Sequence, residues 1–421
     1  MTRASRPESI RALPHARSPG IIAPVRILIV STAFPRYQDD PTAKWLVETI
    51  LRLAAEGYEF EVLTSAYRGG GNANYGGIPI HRFRYFFARW ENLTHEESAP
   101  DRMQRSVLYK IMALSYVGFG TIAAWRLGRR GRFDIVHVHW PVPHAMFGWA
   151  ARAGSRGPLK IIAHFYSVEL RWVRHSLRVL RGFLRRAVTS ADRVVAISNS
   201  TAAEVRSVAP VPVEVIPYAV DLPVPSLTAL PRAAAGCAVL FVGRLAERKG
   251  VRYLIDAVAD LPAALRPHLT IIGDGPEREA LEAQTQARGA TDRVTFMGWV
   301  TPEQLDAAYA AASVFVLPAV VDARGDTEGL GMVLLEAMTY RVPVISTPLG
   351  GVTDIVEDDE TGLLVPPNDA SALAAAIIRI ATDPVTADRL GAKGRDYALS
   401  HFSWSAVLGQ WRALYAGVLE R

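Results

Sequence analysis

Two tandem doubly wound α/β domains are predicted for this 421-residue chain, and three observations predict them. Short, fully apolar runs alternate with helical periodicities through the first half. Prolines cluster at Pro210, Pro212 and Pro217, and beyond them the alternation starts again. Apolar strands set between helices imply parallel sheets covered on both faces. Two such sheets in tandem are expected to face each other across a cleft, because ligands bind at the carboxyl ends of the strands.

In the first half, strands are predicted over 25–30, 60–63, 78–83, 135–139, 159–163 and 193–197. Helical periodicity covers 42–55 and stops at Gly57. Further helices are expected over 107–127, near 144–153, in a basic segment after residue 163, and over 200–207. The second half offers strands over 238–242, 269–272, 294–296, 314–317, 344–346 and 362–365, with helices between them. An amphipathic helix over 404–419 closes the chain and is placed to cross back to the first domain. The resulting division is a flexible tail over 1–24, a first domain over 25–215, a second over 216–400, and a closing helix over 401–421.

Half the residues are hydrophobic and a fifth charged, as in a soluble globular enzyme. Cys237 is the only cysteine, which excludes an internal disulfide and a cysteine metal cluster and suits a reducing compartment. The charge is uneven. Residues 1–215 carry 30 Lys/Arg against 16 Asp/Glu, whereas residues 216–421 carry 17 against 25. The first half therefore prefers an anionic partner: a membrane surface, a phosphorylated lipid or an acidic glycan. Nucleic acid is not expected, because no aromatic-and-basic reading motif accompanies the charge. Residues 107–125 form the most membrane-like segment. Lys110, two glycines and an early return to a strand make a buried crossover helix the expectation there. Arg171, Arg174, Arg178, Arg181 and Arg185 recur at spacings of three and four, as on one face of a basic amphipathic helix.

The chemistry concentrates in Asp326-Thr-Glu-Gly-Leu-Gly-Met-Val-Leu-Leu-Glu-Ala-Met338. It follows an apolar strand and runs into a helix. Gly329 and Gly331 leave the backbone bare where the first helical N–H groups have no partner, which favours a phosphate. Glu328 and Glu336 cannot be phosphate ligands themselves, since like charges repel. Ionised carboxylates accept hydrogen bonds from hydroxyls. Hydroxyls on both sides of a diphosphate describe a nucleotide sugar.

Val242-Gly-Arg-Leu-Ala-Glu-Arg-Lys-Gly250 ends the second domain's first strand. Arg244 and Lys249 suit a diphosphate, an arginine fork beside a point charge. Arg248 reads equally well as an exposed basic residue. His164 follows the 159–163 strand and should face the cleft. His137 and His139 share one strand face, but with no third ligand clearly placed no metal is expected. Asp322 and Asp326 read as loop-shaping. The first strand runs into Ser31-Thr-Ala-Phe-Pro-Arg36 without a glycine-rich turn, and Gly273-Asp-Gly-Pro276 is too short for a dinucleotide fingerprint, so a nicotinamide enzyme is disfavoured.

These motifs, in this order, resemble the retaining glycosyltransferases of family 4, whose two Rossmann-like domains form the GT-B fold. The resemblance runs from about residue 25. It is strongest over 238–370, where Phe296-Met-Gly298, Pro343-Val-Ile-Ser-Thr347, Gly350-Gly351 and Glu360-Thr-Gly-Leu-Leu-Val-Pro-Pro367 add to the stretches above. It implies that Arg244 and Lys249 hold the donor diphosphate and Glu328 the sugar hydroxyls. It also implies that the amides of Gly329, Leu330 and Gly331 approach sugar and phosphate, that Glu336 binds the ribose, and that His164 lies near the reacting carbon. No cofactor is implied. The expected reaction moves a sugar from a nucleotide diphosphate to a hydroxyl acceptor, on a lipid carrier or cell-surface glycan at the cytoplasmic face of the membrane. Two other readings stay open: a sugar-nucleotide epimerase on the same fold, and a non-catalytic nucleotide-sugar-binding module. The chain departs from the family at Phe34-Pro-Arg-Tyr-Gln-Asp-Asp-Pro-Thr42, where many members carry paired glycines, and at Phe165, where a glycine usually follows the histidine.

Overall fold

The computed structural model describes residues 24–420, apart from 38–39, 41, 96–98, 176, 221–235 and 324. The expected tail therefore lies, but for residue 24, outside the described residues. The chain divides into two compact units. One holds residues up to Phe165, Trp172–Val194 and the last residues from Tyr415; the other holds Tyr166–Arg171 and Val195–Leu414.

The first sheet is built from β1 (Arg26–Val30), α1 (Lys44–Ala55), β2 (Glu59–Ser65), β3 (Ala73–Tyr75), β4 (Ile78–Phe83), α2 (Ala99–Arg105), α3 (Val107–Arg130), β5 (Ile135–His139), α4 (Pro141–Gly154), β6 (Lys160–Phe165), α5 (Val168–His175), α6 (Arg181–Thr189), β7 (Arg193–Ala196), α7 (Asn199–Val208) and β8 (Glu214–Val215). Its strand order is β3-β4-β2-β1-β5-β6-β7-β8. The inner strands are buried on both faces, as parallel strands under helices must be, and apart from His137 and His139 on β5 their buried residues are largely apolar. The antiparallel edge strand β3 escapes the apolar-run reading because it is short and polar. Gly76 and Gly77, at φ 58° and 91°, make its two-residue turn into β4.

The second sheet follows with β9 (Cys237–Val242), α8 (Val251–Ala259), β10 (Pro267–Ile272), α9 (Arg278–Ala287), β11 (Val294–Gly298), α10 (Pro302–Ala311), β12 (Val314–Leu317), α11 (Met332–Thr339), β13 (Val344–Ser346), β14 (Leu363–Leu364), α12 (Ala370–Thr382), α13 (Pro384–Phe402) and α14 (Trp404–Leu419). Its order, β11-β10-β9-β12-β13-β14, reverses direction between β9 and β12. That reversal is the switch point at which doubly wound sheets open a crevice. Sequence signals start its helices: Thr301 and Gln304 form a reciprocal capping box on α10, and Asp369 caps α12. Both sheets are thus doubly wound and Rossmann-like, as predicted.

Two expectations are corrected. The 107–125 segment is not a buried crossover helix. In α3 only Met112, Tyr116, Gly120, Ala124 and Gly128 are buried, one row spaced by four. That row meets α4 at close quarters, for a Cβ on Gly128 would lie 2.1 Å from the carbonyl oxygen of Ala151. Among the described residues no layer covers the other side of α3. Nor do the five arginines share one helix. The Leu177 amide bonds back to the carbonyl of Trp172 and closes α5, and a 3-10 turn at Arg178–Leu180 precedes α6.

Candidate active site

The switch point gathers three loops of the second unit. After β9 the chain passes Gly243 and Arg244 into a 3-10 turn, Glu247–Lys249, and then α8. Gly250 caps α8 at φ 66°, and a Cβ there would fall 1.9 Å from the carbonyl oxygen of Pro318. Only glycine lets the β9 loop lie so close to the end of β12. The Gly273-Asp-Gly-Pro turn braces the same loop from β10. Leu245 N–H donates to the Asp274 carbonyl at 3.0 Å, and a Cβ on Gly273 would meet the Gly243 carbonyl at 2.1 Å. This turn supports the β9 loop, a use its length did not reveal.

Lys249, 8% exposed, donates to Glu328 Oε2; Glu328 is 9% exposed. Arg248 Nη1 reaches the same oxygen at 3.5 Å, and its Nε lies 4.0 Å from Asp326. Arg248 therefore belongs to the charged group. It was the residue least distinguished by sequence, because its half-burial depends on the β12 loop folding over it. Asp326 also takes Arg171 Nη2 at 2.7 Å. Its own amide donates to Asp322 Oδ1 at 2.8 Å, which makes the two aspartates loop-shaping groups. Arg244 is exposed and forms no ion pair among the described residues. A cation left free beside a compensated cluster is available to an incoming anion.

Gly331, at φ 85°, is the N-cap of α11, and no side chain caps that helix. Gly329 is exposed with open space around it, while Leu330 is buried. The Gly350-Gly351 pair sets this stretch. A Cβ on Gly350 would lie 1.9 Å from the Glu328 carbonyl oxygen, and one on Gly351 would lie 2.2 Å from that of Gly329. Glu336 projects from α11 and accepts a hydrogen bond from Tyr309 Oη at 2.8 Å. Burial raises the Glu336 pKa, and the Tyr309 bond opposes that rise. Sequence reasoning missed Tyr309, whose position on α10 carries no motif.

In the first unit, His139 on β5 stands in register with His164 on β6. His137, His139 and His164 bring ring nitrogens within 4.8 Å of one another. The third histidine absent from the strand-spacing reading is thus His164. His137 and His139 stack at 4.2 Å, and His137 Nδ1 meets Tyr415 Oη at 3.1 Å. Burial holds all three below the usual imidazole range, His137 at about 3. The imidazoles are therefore neutral near pH 7 and offer hydrogen bonds rather than charge. The unusual Phe34–Thr42 stretch, where described, closes on Asp40. That carboxylate accepts from Arg36 Nε at 2.6 Å and from Thr42 Oγ1 at 2.6 Å, so side-chain bonds hold a loop that lacks paired glycines.

Two doubly wound sheets, one with a group of cations and carboxylates at its switch point, fit a nucleotide-sugar glycosyltransferase of GT-B type. The family model for glycosyl transferases group 1 matches residues 236–397, and that for glycosyltransferase family 4 matches residues 42–223. A GDP-mannose-dependent alpha-(1-6)-phosphatidylinositol monomannoside mannosyltransferase of Mycolicibacterium smegmatis is 34% identical over 69% of this chain and 78% of its own. A phosphatidyl-myo-inositol mannosyltransferase of Mycobacterium leprae is 31% identical over 68% of this chain and 74% of its own. Sucrose-phosphate synthase of Thermosynechococcus elongatus superposes with a TM-score of 0.69 at 25% identity, covering 94% of this chain and 99% of that one. The chain belongs to glycosyltransferase family 4, within the glycosyl transferases of group 1.

Proposed function

We propose that this enzyme is a retaining, metal-independent hexosyltransferase that takes mannose from GDP-mannose to a hydroxyl of a lipid-linked acceptor. The observation that carries the donor half is the group of Lys249, Arg248 and Glu328 beside the uncapped N-terminus of α11. Arg244 and Lys249 bind the diphosphate. Glu328 Oε2 stays with its cations while Oε1 accepts hydroxyls of the sugar. The amides of Gly329, Leu330 and Gly331 meet sugar and phosphate, and Glu336 takes the ribose hydroxyls. His164 is the proposed contributor at the reacting centre. The choice of GDP-mannose and of a phosphoinositide-like acceptor is supported by the names of the mycobacterial relatives.

In the reaction, the bond between the anomeric carbon and the diphosphate oxygen breaks. The acceptor oxygen forms its bond on the same face. Its proton passes to a diphosphate oxygen, so no protein base is required. Arg244 and Lys249 stabilise the charge that grows on the departing diphosphate, on the order of 3 kcal/mol for each well-placed donor. The reaction is proposed to run at the cytoplasmic face of the membrane, with the enzyme attached peripherally.

The test is nucleotide release from UDP-, GDP- and ADP-sugars, with and without phosphatidylinositol vesicles, in buffer with and without EDTA. GDP release that needs both GDP-mannose and the lipid, gives an α-linked product by NMR, and survives EDTA is expected. A β-linked product would exclude retention. Loss of activity in EDTA restored by a divalent ion would exclude metal independence. Conversion of the sugar without acceptor would identify an epimerase.

A further inference from the structure

The outer side of α3 is an exposed apolar stripe that no other described residues cover. Val107, Ile111, Leu114, Ile122 and Trp125 recur at helical spacing along it, with Leu114 76% and Ile111 52% exposed. Exposed large apolar residues are elsewhere scattered, and scattered ones need no explanation, whereas a contiguous patch does. The segment beside α3 extends the patch. Ser115 donates to the carbonyl of Tyr85, and from the same segment Phe87 stands 69% exposed next to Trp90.

Charge identifies the occupant. The helix has no Asp or Glu, and Lys110, Arg126, Arg129 and Arg130 stand at its two ends. The guanidinium of Arg129 lies 4.7 Å over the Trp125 ring, and that of Arg89 lies 4.7 Å over Trp90. An apolar stripe bordered by cations and interfacial tryptophans matches acyl chains beneath anionic headgroups. A second copy of the chain fits badly, because two such helices face to face would oppose cations with no carboxylate of either helix to offset them. A transmembrane path fits badly too. By length and composition α3 could cross a bilayer, but Gly120 and Gly128 are locked against Phe147 and Ala151 of α4.

We propose that the outer side of α3, with Phe87 and Trp90, is the surface by which this enzyme lies on an anionic lipid bilayer. The inference deepens the reading of a lipid-linked acceptor, by naming the surface that would bring the enzyme to it. It needs neither donor nor acceptor for its test, so the two can fail separately.

The experiment uses the full chain with vesicles of phosphatidylcholine, alone or mixed with phosphatidylglycerol. Co-sedimentation with the mixed vesicles only, weakening as salt is added, is expected. Leu114→Glu with Ile122→Glu should weaken it by about tenfold or more, with an unchanged melting temperature because both side chains are exposed. A fluorophore on Leu114→Cys should brighten and shift to the blue on the mixed vesicles, while one on Val385→Cys should not; native Cys237 is buried and escapes labelling. The proposal is overturned by wild-type protein that ignores both vesicles. It is overturned equally by binding that the double variant leaves intact, since docking would then lie elsewhere, as on the Arg174–Arg185 segment. Concentration-dependent dimerisation lost in the double variant would assign the stripe to a second copy. Release by detergent but not by salt or alkaline carbonate would make α3 an integral span.

Discussion

Lys249 and Glu328 form a buried ion pair between the loops that follow adjacent strands β9 and β12. Removing one member of such a pair leaves the other charged and desolvated, at a cost on the order of 3 kcal/mol. Lys249→Met and Glu328→Gln should each lower the melting temperature, and together lower it by less than the sum. Lys249→Ala and Glu328→Ala should each abolish transfer. GDP should raise the melting temperature of the wild type and fail to do so in Lys249→Met. Full activity in either alanine variant, measured well below its melting point, would refute the donor assignment.

Gly350 bears on Glu328 through backbone rather than charge. A Cβ at 1.9 Å from the Glu328 carbonyl must displace one of the two loops, and φ 58° adds strain. Gly350→Ala should therefore reduce kcat/KM by about tenfold or more, with a folded protein by circular dichroism. Gly182→Ala, where a Cβ meets nothing within 4 Å, serves as the control and should leave transfer unchanged.

Much of this was legible from local pattern, for physical reasons that also set its limits. Parallel strands are buried on both faces, so the runs ending at Val242 and Leu317 declared themselves, and the loops beyond them held Lys249 and Glu328. Gly250 and Gly350 stood in recognisable motifs, but the carbonyls they approach come from loops distant in sequence. Arg248 and Tyr309 were obscure because their importance comes from neighbours distant in sequence: Asp326 and Glu328 for one, Glu336 for the other. Apolar content misled over α3, since hydropathy records composition and not which face is covered. Spacing misled over the five arginines, since a periodicity of three and four does not see where a helix stops.

Tyr309 aims one oxygen of Glu336, and that carboxylate's other oxygen accepts no hydrogen bond among the described residues. If Glu336 holds the ribose, Tyr309→Phe loosens the carboxylate without removing it, at about 1 kcal/mol for a lost hydrogen bond. KM for the donor should rise several-fold with kcat little changed. Discrimination against a donor lacking a ribose hydroxyl should shrink in the variant. A Tyr309→Phe enzyme that keeps wild-type KM and discrimination would separate Glu336 from ribose recognition.

Buried titratable groups pull stability in opposite directions across the weakly acidic range. Burial lowers His137 to about 3 and His144 to about 4, and depresses His139 and His164 as well. The unfolded chain gains protons at these sites below about pH 6.5 while the folded chain does not, so their contribution is present above that pH and lost progressively on acidification. Glu169 acts in the opposite sense. Burial raises it to about 7; its Oε1 accepts from the Tyr166 amide at 3.0 Å, and among the described residues its Oε2 accepts no hydrogen bond. The folded chain keeps this proton where the unfolded chain has released it. The contribution is therefore full below the ordinary glutamate pKa of 4.5 and is lost as pH rises through about 7. Its full size is on the order of 3 kcal/mol. Glu169→Gln removes the titration and retains the shape and an acceptor for the Tyr166 amide. Urea unfolding of both proteins between about pH 5 and pH 8 should show the variant gaining on the wild type as pH rises. A difference that stays flat across that range would mean that Glu169 is already ionised in the folded enzyme at the acid end.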